Sequence, residues 1–273
     1  MPAYARPENL IAALDHLGAS GARVLAGGTD LYPGAGPSLT GAVLDITGLT
    51  ALRGLALGDG LRIGAATTWS EIAEADLPPA LAGLQAAARR VGGRQIQNMG
   101  TIGGNLCNAS PAADGVPPLL TLNAEVELES VRGVRRIALS SFLQGPRKTA
   151  LAPDEMMVAV LIPNNALAGR GSFLKLGSRA YLVISIAMVA ARIVTDGRIV
   201  TEIALAVGAC SAVAQRLPSV ERALIGADVG NMAQLIRAQD VKLSPIGDVR
   251  ASAEYRRDAA VELLARVLGE AVK

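Results

Sequence analysis

The sequence predicts an α+β protein built in two parts, and three observations carry that reading. The chain has 273 residues, 51% of them apolar, which is enough material for two cores. Asn164 to Gly171 is a polar, glycine-bearing stretch behind Pro163, and it sets a boundary near residue 167, dividing the chain into 1–166 and 167–273. Beyond it come two long apolar, β-branched runs, then helical stretches and a long closing helix, a grouping distinct from the mixture before it.

In the first part, Pro7 to Leu17 is predicted helical, with Pro7 in the first turn and Leu10, Ile11, Leu14 and Leu17 at helical spacing; Gly18 to Gly21 ends it. Arg23–Ala26, Val43–Ile46 and Leu61–Ala65 are short strands, the last entered through Gly58-Asp59-Gly60, which suits a hairpin turn. Thr68 to Ala75 is a capped helix, with Thr68 or Ser70 as cap and Glu71 in the first turn. Leu81–Val91 is an alanine-rich helix, and Pro117–Leu122 a short one. In Asn123–Ser130, Ala124, Val126 and Leu128 alternate with glutamates, the pattern of a half-buried strand, and Arg135–Leu139 returns beside it. Glu155–Ile162 is an apolar strand.

In the second part, Gly171–Leu176 opens the domain. Leu182–Val194 and Ile199–Ala209 flank Asp196-Gly197 as a hairpin of long strands. Pro218–Leu224 is a helix with Ser219 as its cap, and Tyr255–Leu268 is the last helix, with Tyr255, Ala259, Leu263 and Val267 on one stripe.

Bulk composition excludes several function classes. The net charge of +2 is spread without a basic block, and 3% aromatic residues are too few for base-stacking platforms, so nucleic acid is not an expected partner. Two cysteines cannot supply the four ligands of an iron–sulfur cluster, and the one histidine, His16, rules out a His-rich metal site; it reads as a solvated helix residue. The segment Met1–Arg6 lacks the apolar core of an export signal, and the longest apolar run, Tyr181–Ala191, falls short of the roughly 18 residues that span a membrane, so a soluble cytoplasmic protein is expected. No P-loop and no GxSxG occurs. Gly34-Ala35-Gly36-Pro37 lacks the third glycine of a Rossmann fingerprint and carries a proline.

What remains is a pair of glycine turns. Gln97 to Asp114 is crowded with small polar residues around Gly103-Gly104: Thr101, Asn105, Asn108 and Ser110, with Asp114 after a proline bend. Val24–Leu31 has the same character, an apolar run ending in Gly27-Gly28, then Thr29 and Asp30. Backbone N–H groups in such turns form anion-binding concavities, and two turns suit the two ends of an extended phosphate-bearing ligand.

AGGTD at 26–30, NMGTIGGNLCNASPAAD at 98–114 and DVRASAEYRR at 248–257 together resemble the flavin-binding medium subunit of molybdenum-containing hydroxylases, the xanthine dehydrogenase and carbon monoxide dehydrogenase family. The resemblance covers nearly the whole chain. It implies a two-subdomain FAD-binding domain of the PCMH, vanillyl-alcohol oxidase-like type, with subdomains of about 1–55 and 56–166, then a smaller α+β domain like the carbon monoxide dehydrogenase flavoprotein C-terminal domain.

Carried over position by position, the resemblance implies that Ala26, Gly27, Gly28, Thr29, Asp30 and Leu31 hold the FAD pyrophosphate, mainly through backbone N–H groups. Thr101, Gly103, Gly104 and Asn105 make a second contact to pyrophosphate and ribityl oxygens, and Asp114 meets adenosine-side hydroxyls. Met157 lies under the adenine, and Lys175 sits at the flavin end, where a positive charge favours the anionic reduced form; Tyr181 lies close to the ring. Val91 stands where relatives often carry an aromatic residue. The FAD is expected to be non-covalent, because the histidine lies outside both turns. A large molybdenum-cofactor subunit and a small subunit with two [2Fe–2S] clusters are the implied partners, in a dimer of heterotrimers, with electrons leaving to NAD or another acceptor. The rival readings are a self-contained flavin oxidoreductase of the same superfamily, whether an oxidase or a cell-wall precursor reductase, and a binding module without its flavin.

Overall fold

The computed structural model describes residues 4–36, 39–180 and 182–272. Its strands form three main sheets. Tyr4–Ala5, Val43–Asp45 and Arg23–Leu25 make a parallel sheet in that spatial order. Leu55–Gly58, Gly60–Gly64, Met156–Pro163, Glu125–Ser130 and Gly133–Ala138 make an antiparallel one. Arg170–Leu176, Ala187–Asp196, Ile199–Gly208 and Gln215–Arg216 make the third, with the long hairpin turning at Gly197, φ 55°. Helices and strands are thus mixed throughout, as an α+β chain requires.

Capping fixes where the helices begin. The first helix is Leu10–Ser20, not Pro7–Leu17: Asn9 accepts from Ala12 N–H at 2.9 Å, and Gly21 ends it in the left-handed conformation. Trp69–Glu74 carries a full capping box between Thr68 and Glu71. Pro218–Leu224 starts at Leu217 with Pro218 in its first turn, which places Ser219 inside the helix instead of at its cap. The closing helix spans Ala253–Ala271 behind Ser252, which accepts from Tyr255 N–H at 3.1 Å. Its buried face holds Arg256, Ala260, Leu264, Val267 and Leu268, one position on from most of the expected stripe, and Tyr255 is exposed.

Each main sheet carries a core, and Leu14, Leu17, Leu44 and Leu52 anchor that of the parallel sheet. Trp69, Ile72, Leu84, Ile102, Leu106 and Leu119 anchor that of the antiparallel sheet, and Val189, Leu205, Val220 and Leu264 that of the third. The junction between the last two is close-packed. Helix Ala82–Ala88 lies on strand Arg170–Leu176, and a Cβ on Gly83 would stand 2.8 Å from Ser172 O. The buried Arg192 donates across the junction to Thr121 O at 3.2 Å and, on its own side, to Ala168 O at 3.1 Å, satisfying carbonyls that burial would otherwise leave unpaired.

Candidate functional site

Both glycine turns open onto one cleft of about 660 Å³, within the size range of a cofactor site. Ala26 to Leu31 line it from the end of strand Arg23–Leu25. Thr101, Gly103, Gly104 and Asn105 line it from a short helix, and Met157 from strand Met156–Pro163.

The first turn offers backbone donors. Among the described residues, the amide hydrogens of Gly27, Gly28, Thr29, Asp30 and Leu31 have no acceptor; the first that do are those of Tyr32 and Gly34, which turn back to Gly28 O and Asp30 O at 3.0 and 3.1 Å. Five consecutive free N–H groups make a concavity of partial positive charge suited to a phosphate. The glycines let the backbone reach that shape. Gly28 sits at φ 70°, with the Tyr32 ring lying where a Cβ would be. A Cβ on Gly27 would fall 1.8 Å from Met99 O, so this glycine is what lets the first turn abut the second.

The second turn is built differently. It is not a loop but the start of helix Ile102–Asn108, whose glycines hide it from a propensity reading. Thr101 caps it, accepting from Gly104 N–H at 3.1 Å. The amides of Ile102, Gly103 and Asn105 are likewise taken, by Thr67 O, Ala65 O and Thr101 O. This segment therefore has no free amide from Ile102 to Asn105, and it lines the cleft through Thr101, Gly103, Gly104 and Asn105; the Asn105 Oδ1 is buried and has no partner among the described residues. A buried acceptor without a donor is a place for a ligand hydroxyl. Gly103 is needed for packing, since a Cβ there would stand 2.7 Å from Ala65 O, whereas a Cβ on Gly104 would meet only Thr101 Oγ1 at 2.9 Å.

Several lining residues escape a sequence reading. Trp69 and Ala65 come from the second sheet and its first helix, and nothing local marks them. Cys107 and Glu155 carried a local signal, being neighbours of Asn105 and Met157. Burial pushes the Cys107 thiol up to about 12, so this cysteine stands in the cleft fully protonated near neutral pH. The Glu155 carboxyl is held below its ordinary range by Arg135, which donates to it at 2.6 and 2.7 Å, and by Ala152 N–H.

Asp114 and Lys175 are placed elsewhere. Neither belongs to the lining of the cleft; they form a buried ion pair at 2.6 Å, and Ser185 donates to the other Asp114 oxygen at 2.7 Å. Burial raises the Asp114 carboxyl pKa, and Lys175 opposes that rise. Tyr181 lies outside the described residues.

Residues 1–165 match the family described as the FAD binding domain in molybdopterin dehydrogenase, and residues 172–271 match the CO dehydrogenase flavoprotein C-terminal domain. The nicotine 6-hydroxylase medium subunit of Paenarthrobacter nicotinovorans is 34% identical, covering 98% of this chain and 96% of the relative. A putative xanthine dehydrogenase FAD-binding subunit of Escherichia coli strain K12 is 33% identical over 92% of this chain and 89% of its own. The reconstituted CO dehydrogenase from Oligotropha carboxidovorans holds a chain that superposes with a TM-score of 0.88 at 26% identity, covering 99% of this chain and 97% of that one. No helix among the described residues is long and apolar enough to cross a membrane. With both halves matched and the likeness running from end to end, the chain belongs to the family of FAD-binding medium subunits of molybdenum hydroxylases, and is an oxidoreductase subunit.

Proposed function

We propose that this chain carries one non-covalent FAD and relays electrons from [2Fe–2S] clusters on a small partner subunit to NAD or another acceptor. A large partner subunit with the molybdenum cofactor would supply those electrons, and the assembly would be a dimer of heterotrimers. The observation that carries the reading is the run of five unpaired amides from Gly27 to Leu31 at a cleft of cofactor size. These N–H groups would hold the pyrophosphate, helped by the Thr29 hydroxyl. The Thr101 and Asn105 side chains would take pyrophosphate or ribityl oxygens, and Met157, 3% exposed, would pack beneath the adenine. Asp114, expected at adenosine-side hydroxyls, and Lys175, expected at the flavin end, form one ion pair at 2.6 Å outside the cleft lining, so they cannot serve opposite ends of the cofactor; Tyr181 would lie close to the ring.

The flavin supplies the coupling between one- and two-electron steps when bound; the protein supplies binding, orientation and fixed charge. The test is the purified full-length chain mixed with FAD. One flavin per chain should appear in the absorbance spectrum and be released on acid precipitation. A protein that takes up no flavin, or flavin that stays with the precipitate, would overturn the two parts of the proposal respectively.

A further inference from the structure

Trp69 is the one tryptophan of the chain. It opens helix Trp69–Glu74 behind the Thr68–Glu71 capping box, its backbone N–H donates to Gly100 O at 3.1 Å, and its cap residue Thr68 bridges to Thr101. The side chain is thereby fixed against the second glycine turn; it is 1% exposed and lines the cleft. Two glycines beside it show how the ring is turned. A Cβ on Gly100 would stand 3.4 Å from both Trp69 Cδ1 and Thr29 Oγ1, and a Cβ on Gly115 would stand 3.2 Å from both Trp69 Cζ2 and Asn105 Oδ1. Cδ1 and Cζ2 flank Nε1 on the rim of an indole. The N–H is therefore carried on the edge that runs from Thr29 to Asn105, both of them residues of the cleft wall. An indole nitrogen can only donate, and buried indoles usually find an acceptor. This one has none among the described residues. At the far end of the same edge, Asn105 Oδ1 is a buried acceptor without a donor.

We propose that Trp69 is a cofactor-binding residue: its indole N–H and Asn105 Oδ1 take one hydroxyl of FAD between them, the indole donating to the hydroxyl oxygen and the amide oxygen accepting the hydroxyl proton. This role rests on the reading of the cleft as the FAD site. A lone donor beside a lone acceptor selects the group that fits. A hydroxyl both accepts and donates, whereas an ionised phosphate oxygen has no proton to give Asn105. The edge begins beside Thr29, in the turn whose free amides would hold the pyrophosphate, so the hydroxyl is one that adjoins the pyrophosphate. FAD has such hydroxyls on both sides, on the ribityl chain and on the adenosine ribose.

The experiment uses the full-length chain and three ligands: FAD, FAD lacking the ribityl hydroxyl nearest the pyrophosphate, and FAD lacking the ribose hydroxyls of its adenosine. The analogue without the recognised hydroxyl should bind about tenfold more weakly than FAD, and which analogue that is names the side. Trp69→Phe keeps an aromatic ring but no N–H. It should also bind FAD about tenfold more weakly, and its penalty for that same missing hydroxyl should shrink, as for two groups that share one hydrogen bond. Full FAD affinity in Trp69→Phe overturns the proposal. So does a weakened variant whose penalties for both analogues are unchanged, which would mean that the ring only packs. If Trp69→Phe gives no soluble protein, the wild-type chain labelled with nitrogen-15 decides, because one tryptophan gives one indole N–H resonance. FAD should slow the exchange of that proton with water, and one analogue should fail to; equal protection by all three ligands, or by none, overturns the proposal. A wild-type chain that takes up no FAD removes the reading of the cleft and this role with it, while FAD uptake beside any of the overturning results removes the Trp69 role alone.

Discussion

A side chain at Gly104 would meet nothing but the cap hydroxyl of Thr101, at 2.9 Å, and would stand at the edge of the cleft. Gly104→Val should therefore leave the fold standing. Crowding the cap costs about 1 kcal/mol, which lowers Tm by about 2–4 °C, while the branched side chain blocks the flavin and most of the bound FAD is lost. Gly27→Ala should do the reverse. Its Cβ would lie 1.8 Å from Met99 O, the two turns would have to part, and overpacking of that kind costs about 3 kcal/mol. Melting curves and the flavin-to-protein absorbance ratio of both variants decide the matter; full flavin in Gly104→Val breaks the two-turn account. The distinction was not legible in the sequence. Both turns announce themselves as adjacent glycines beside hydroxyls, but whether a glycine serves a ligand or a neighbouring backbone depends on Met99 and Ala65, which no local pattern connects to them. Nor did the sequence show that one turn gives free amides while the other has spent its own on Thr67, Ala65 and Thr101.

At the scale of elements, the closing helix has a task its sequence only half revealed. Arg256, 4% exposed, donates to Ile186 O at 2.7 Å, to Ala209 O at 3.2 Å and to Asp248 at 2.7 Å, so one guanidinium ties both ends of the long hairpin to the turn before the helix. Asp248 in return is held far below the usual carboxylate range, first by Arg250 N–H and then by Arg256. Arg256→Ala would strand two buried carbonyls and should cost about 3 kcal/mol by urea unfolding. Tyr255→Ala, on the exposed face, should stay within about 0.5 kcal/mol. Equal losses would mean that the helix packs on the stripe the periodicity suggested. That stripe was misjudged because alanine-rich helices carry a shallow hydrophobic pattern, and here the buried face contains an arginine. The elements that were legible had local chemistry to announce them: the Thr68–Glu71 capping box, the Asp196-Gly197 turn, and the alternation through Val126 and Leu128.

At the scale of the molecule, the two halves are joined by polar contacts as well as by apolar packing. The buried Arg192 reaches Thr121 O at 3.2 Å, and the partly exposed Arg216 reaches Leu120 O at 3.1 Å and Asn123 Oδ1 at 2.8 Å. Asp114, Lys175 and Ser185 meet at the same junction. The C-terminal half is thus packed and hydrogen-bonded onto the first and is not an appended module. That bears on what the chain can do by itself. Two cysteines and one histidine give it no ligands for a four-cysteine cluster, so the iron–sulfur centres of the proposed relay must sit on a partner. Co-expression with the small and large partner subunits should give a stable complex whose flavin bleaches when the large subunit's substrate is added. The isolated, FAD-loaded chain should stay oxidised under the same substrate, yet still be reduced by dithionite. If the isolated chain turns over that substrate at a rate comparable to the complex, the relay is wrong and the chain is a flavin oxidoreductase in its own right.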